Sequence, residues 1–189
     1  MSELSVLDSM IVPSPQWFLL VVRSRSERSV AAALRAKGFE VFLPMHAVRQ
    51  QWSDRVASYC APLFSCLVFC RFALCDQYQV LNTPNVFSTH ENAGKRVPVP
   101  IEEITRLQKV LESDYPVELC DVPTLGDLVQ LGADEIVRGV LVERGEVCRV
   151  AICLDSIGRA VCITVPREVL KPVSDGGTTT YIPFHMLAE

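Results

Sequence analysis

The sequence predicts an α+β protein: an N-terminal α/β sandwich on a small antiparallel sheet, followed by a small five-stranded β barrel. Three observations carry this expectation. Before residue 113, short apolar runs alternate with stretches of helical period. After Gly126 the texture changes to short β-type runs broken by glycine. Between them, 115–123 contains two prolines and no clear period, and reads as a linker.

Residues 1–15 have weak periodicity and read as a flexible tail. Trp17–Val22 is a short apolar run and predicts a buried strand. Ser24-Arg25-Ser26-Glu27 fits a capping box opening a helix, with Val30, Ala33 and Leu34 on one face and Gly38 at its end. Phe39–Leu43 is the next strand. The polar stretch from His46 to Ser58 predicts an exposed loop or hairpin. Leu63 to Phe72 is strand-like throughout, Asp76 to Leu81 suits a short helix, and Val86 to Thr89 a further strand. Asn92-Ala93-Gly94-Lys95 suits a turn. Pro100 suits a first helical turn, after which Ile104, Leu107 and Leu111 recur at helical spacing. Leu128–Leu131, Gly139–Val142, Val147–Leu154, Ala160–Val165 and Val169–Lys171 are the barrel strands. The expected boundaries are 16–114 for the first domain, 115–124 for the linker, 125–173 for the barrel and 174–189 for a second flexible tail.

Composition excludes several classes. The chain has 189 residues, 49% hydrophobic and 21% charged, enough to bury a core. Its longest apolar runs are too short to cross a bilayer, and residues 1–16 lack a basic signal-peptide start. A cytoplasmic protein without membrane contact is expected. The eight cysteines form no Cys-x-x-Cys pair and no metal-ligand spacing with histidine, so neither metal nor cofactor is expected. Their apolar, strand-like neighbours mark them as small buried thiols, with Cys60 in a more polar setting. His46, His90 and His185 have no local signature that would pair them with a cysteine nucleophile. No phosphate loop or paired-carboxylate motif is present either, and no enzymatic activity is expected.

The net charge of −4 hides an asymmetry. Trp17 to Arg71 carries eight basic against three acidic residues, a net of +5, whereas Val117 onward has six basic and eleven acidic, a net of −5. The first half has the charge to lie against nucleic acid; a plain solvated basic face would read the same way.

Pro62-Leu63-Phe64-Ser65-Cys66-Leu67-Val68-Phe69 lies between Trp17–Val22 and Phe39–Pro44 upstream and Thr83-Pro84-Asn85-Val86 and Val97–Ile104 downstream. In that order these pieces resemble the N-terminal (NGN) domain of the NusG family of transcription elongation factors. The family writes the central piece Pro-Leu-Phe-Pro-Gly-Tyr-x-Phe and the turn Thr-Pro-Gly-Val. Gly126–Val129, Arg138–Leu141, Cys148–Ile152, Ile157–Ala160 and Val169–Pro172 are similar to its SH3-like KOW barrel, with Gly139 at the motif glycine. Ser65-Cys66-Leu67 and Asn85 depart from these patterns, and Leu63 with the overall divergence resembles specialised paralogs (RfaH-like or UpxY-like) more than the housekeeping factor.

The resemblance implies a monomer that binds RNA polymerase and acts in antitermination. Phe64, Leu67 and Phe69 would help form an apolar depression for the clamp helices of the largest subunit. In a strand, Leu67, Phe69 and Arg71 share one face; ordinary core is the competing reading for the two phenylalanines. Arg23 stands where relatives face the non-template DNA strand, with Arg25, Arg49 and Arg55 able to join it through phosphates. Gln77, Tyr78 and Asn82 are candidates by position for contact with a base. Rho or a ribosomal protein would be the barrel's partner. The rival reading is an RNA-binding or ribosome-associated module without polymerase binding, against which the acidic balance of the barrel half counts.

Overall fold

β1 (Gln16–Val22) is an inner strand of a four-stranded antiparallel sheet. The computed structural model describes residues 14–51, 56–92, 95–123, 126–132 and 137–173. α1 (Glu27–Ala36) follows, then β2 (Glu40–Phe42) and the hairpin of β3 (Met45–Gln51) with β4 (Val56–Pro62). β5 (Leu67–Phe72), α2 (Gln77–Leu81) and β6 (Val86–Thr89) complete the layer, in the order β2-β5-β1-β6. β7 (Glu91–Asn92) and β8 (Lys95–Arg96) form a short ribbon before α3 (Ile101–Glu112).

β1 is covered on both faces, which explains its unbroken apolar run. Phe18, Leu20 and Val22 pack with Val68, Cys70 and Phe72 of β5 against Val30, Ala31 and Leu34 of α1. On the opposite face Trp17, Leu19 and Phe69 meet Ile104 and Leu107 of α3.

The second sheet contains β9 (Val117–Cys120), β10 (Asp127–Leu131), β11 (Arg138–Glu143), β12 (Val147–Leu154), β13 (Arg159–Pro166) and β14 (Leu170–Pro172). Its order is β14-β10-β11-β12-β13-β9. The last five strands match the expected barrel segments, and α3 supplies Val110 to their core with Val129, Val150, Ile152, Ile163 and Val165.

Three expectations change. The stretch read as a linker carries β9, paired antiparallel to β13 with Val117 opposite Ile163 and Cys120 opposite Ala160. The flanking prolines bound this strand instead of breaking it, and Pro116 O accepts a hydrogen bond from Thr164 N at 3.1 Å. The strand expected from Leu63 begins only at Leu67, because Cys66 turns the chain through φ 64°. The capping box is not formed: Ser26 stands at the N-cap without a side-chain cap bond. Glu27 instead reaches across the fold and accepts Cys66 N–H at 2.8 Å. The terminal tails over 1–13 and 174–189, Arg55, and the Ala93-Gly94 part of the expected turn lie outside the described residues.

Candidate functional site

The two turns that carry the sequence's departures are both left-handed. Cys66 has φ 64° and Asn85 φ 69°, conformations that glycine adopts without a Cβ penalty. Asn tolerates this region better than most residues. Cys66 is held there by the Glu27 carboxylate, which fixes its N–H and thereby the start of β5. Val22 N donates to Cys66 O at 2.8 Å, so the turn is also tied to β1.

Phe64, Leu67 and Phe69 are brought together at this turn. The Phe64 and Phe69 rings meet edge to face with centroids 6.1 Å apart, and the Phe42 ring centroid lies 5.9 Å from that of Phe69. Leu67 is half-buried and packs on the same cluster. Arg71, on the same strand face, is exposed and paired with Glu40 at 3.0 Å.

This apolar face is not open to solvent. Phe64 and Phe69 are only 3% and 1% exposed, and their cluster includes Leu154, Ile157 and Val161 from the second sheet. The strand end of β12, the short 3-10 turn Asp155–Ile157 and β13 thus lie against the N-terminal half. Burying a side chain the size of Ile157 there contributes on the order of 2 kcal/mol. Beside it, Glu103 of α3 accepts Ser156 Oγ–H at 2.6 Å and Ser156 N–H at 3.2 Å. Burial pushes the Glu103 carboxyl up, and the Ser156 bonds and nearby Arg106 oppose the shift. A weaker polar contact joins His46 Nδ1 to Val117 O at 3.4 Å. Sequence periodicity placed Leu107 and Ile104 on an apolar helix face, but no local signal marked Ile157 or Ser156 as their partners.

The arginines divide between elements. Arg23 and Arg25 are exposed in one turn between β1 and α1, Arg25 at φ 63°. Arg23 N donates to Asn85 O at 2.9 Å, which joins this turn to the one preceding β6. Arg49 belongs to the β3–β4 hairpin, opposite Ser58. Tyr78 on α2 is 80% exposed, and Phe87 on β6, which the sequence reading did not single out, is 68% exposed. Gln77 is half-buried and hydrogen-bonded to Arg96, and Asn82 is exposed after α2.

Gly139 lies inside β11, at a close strand approach and not in a turn. A Cβ there would stand 2.5 Å from Val150 Cγ1 and 2.8 Å from Ala151 O. Among the described residues, no group of three or more His, Cys, Asp or Glu side chains is placed to hold a metal ion. No helix among them is long and apolar enough to cross a membrane.

Comparison with known proteins agrees with this architecture. The family described as "Transcription termination factor nusG" matches residues 15–108. The structure is similar to Thermotoga maritima NusG, solved in a study of its domain interaction, with a TM-score of 0.53 and 18% identity over 85% of this chain and 98% of that one. The MjSpt4:Spt5 complex in conformation A aligns over 84% of this chain and 98% of its own, at 16% identity, but a TM-score of 0.30 carries no weight for the fold. No curated protein matches. The matched segment contains β1 through most of α3, the likeness to the Thermotoga protein extends over the second sheet, and the chain belongs to the NusG family of transcription factors.

Proposed function

We propose that this chain binds RNA polymerase through Phe64, Leu67 and Phe69, and suppresses pausing and termination as a specialised, RfaH-like or UpxY-like antiterminator in the cytoplasm. The observation that carries the reading is the apolar cluster at the Cys66 turn, which lies within the segment that matches the family. An apolar face that receives a partner helix is a common recognition mode. Residues 16–114 act as the NGN domain and 125–173 as a KOW barrel, which recruits Rho or a ribosomal protein. Arg23 and Arg25 hold non-template DNA by its phosphates, and the exposed rings of Tyr78 and Phe87 offer faces for unpaired bases.

Because the barrel covers the binding face, the polymerase and the barrel compete for it. Only the undocked fraction binds, so the apparent affinity falls with that fraction. A ligand that prefers the closed polymerase clamp then lowers pausing by population shift.

The test is retention of purified RNA polymerase by wild type, Ile157→Asp, Leu67→Asp and the double variant. A buried Asp at 157 opens the docked state, so Ile157→Asp retains about tenfold or more polymerase than wild type. The double variant loses it. If the opened protein retains no polymerase, the clamp reading fails; RNA binding by the isolated barrel in a filter assay would then favour the rival module.

A further inference from the structure

Three of the eight cysteines lie on one face of the second sheet, and two of them are neighbours on adjacent strands. Cys120 pairs opposite Ala160, and Cys162 follows Ala160 by two positions on β13, so their side chains are diagonal neighbours on the same face. The two thiols are close enough for each to shift the other's ionisation. Cys153 lies opposite Ala160 on the other side, from β12. Cys162 and Cys153 are buried, whereas Cys120 on the edge strand is half-buried and reached from solvent.

The neighbouring Cys120 thiol, more than the charges around the pair, favours a thiolate on Cys162. Donation of the Cys120 S–H pushes the Cys162 thiol down to about 7, against its own burial, and the Arg149 guanidinium adds to the effect. Cys120, as the donor, is pushed far up. Arg149 is anchored on this face by Glu118 at 2.6 Å and Glu143 at 2.7 Å, and both carboxylates oppose the shift. The pair therefore shares one proton near neutral pH, a property of the two sulfurs together. Structural buried cysteines are inert; a solvent-reached thiol sharing a thiolate beside a cation is not.

We propose that Cys120 and Cys162 are a reversible redox pair, closing to a disulfide in exchange with a low-molecular-weight disulfide and so fastening β9 to β13. In the first step the sulfur of Cys120, its proton passed to Cys162, attacks one sulfur of the small disulfide. A mixed disulfide forms and one small thiolate leaves. Cys162 then loses its proton to solvent and attacks the Cys120 sulfur, releasing the second small thiolate. Two protein thiols are oxidised, and one small disulfide is reduced to two small thiols. The bond joins the strand that links the two halves to the barrel itself. Polymerase binding plays no part in this assignment.

The full-length chain is equilibrated in a series of reduced and oxidised glutathione mixtures, quenched by alkylation and mapped by mass spectrometry. A Cys120–Cys162 cross-link is expected at the oxidising end, reversed by reductant. Cys120→Ser and Cys162→Ser each abolish it, and Cys153→Ser leaves it in place. Amide exchange over Val117–Cys120 slows in the oxidised wild type, because β9 no longer frays from the edge. A glutathione adduct on Cys120 that never resolves, or cross-links that join Cys60, Cys75 or Cys153 instead, would overturn the proposal. The wild-type map decides the matter even if a serine variant fails to fold.

Discussion

Glu103 and Ser156 join the two halves of the molecule: the carboxylate of α3 accepts both the hydroxyl and the backbone N–H of the 3-10 turn, at 2.6 and 3.2 Å. The bond pair is local to the packed cluster of Phe64, Ile104 and Ile157, and it makes docking sensitive to protons.

The Glu103 carboxyl is raised in the docked state, chiefly by burial, from an ordinary value of 4.5. Docking therefore binds a proton more tightly than the separated state does. The contribution is fully present below the ordinary carboxyl range and is lost as pH rises through the raised docked value. Amide exchange at Phe64 to Phe69 is expected to accelerate across that window in wild type. Glu103→Gln, which keeps an acceptor and carries no charge, flattens the dependence. An unchanged pH profile in Glu103→Gln would refute the assignment.

Cys66 occupies a left-handed turn without being glycine, and its N–H is fixed by Glu27. Cys66→Gly relieves about 1–2 kcal/mol of steric cost and gives back part of it to the unfolded chain, for a net gain of about 0.5–1 kcal/mol. Glu27→Ala leaves that N–H without its carboxylate and costs about 1.5–3 kcal/mol. Urea denaturation reads both, and a loss of stability in Cys66→Gly would contradict the argument.

Gly139 has no room for a methyl group between Val150, Ile152 and the Ala151 carbonyl. Gly139→Ala forces β11 away from β12 and costs about 1–3 kcal/mol. Thermal unfolding is expected to shift down by several degrees, on the order of 2–4 °C per kcal/mol for a chain of this size. A variant with the wild-type midpoint would mean that the strands separate freely there.

Much of the architecture was legible because its signals are local. Trp17–Val22 and Val147–Leu154 announced buried strands by composition, and Ile104 and Leu107 announced a helix face by period. β9 was hidden although Val117-Glu118-Leu119-Cys120 nearly alternates, because Pro116 and Pro123 read as breakers when they only frame the strand. Glu27 was legible as a helix-start residue, yet its carboxylate serves a turn 39 positions away, a partner no capping pattern encodes. The cluster at Phe64 and Phe69 was marked by motif, but alternation tells which face a side chain takes and not what lies on that face. The second half covers it with Leu154, Ile157 and Val161, and Ile157 is a single apolar residue in a turn.

The pairing of β9 with β13 also sets how far the barrel travels once released. With β9 held, the leash from the end of α3 is only residues 113–116, a reach of about 15 Å. The barrel then stays beside the face it left, at a high local concentration that favours prompt return. If β9 peels away, the leash lengthens to 113–126 and the reach to about 45 Å. The same short strand decides whether the second half lingers at the first or searches a wide volume for something else to hold.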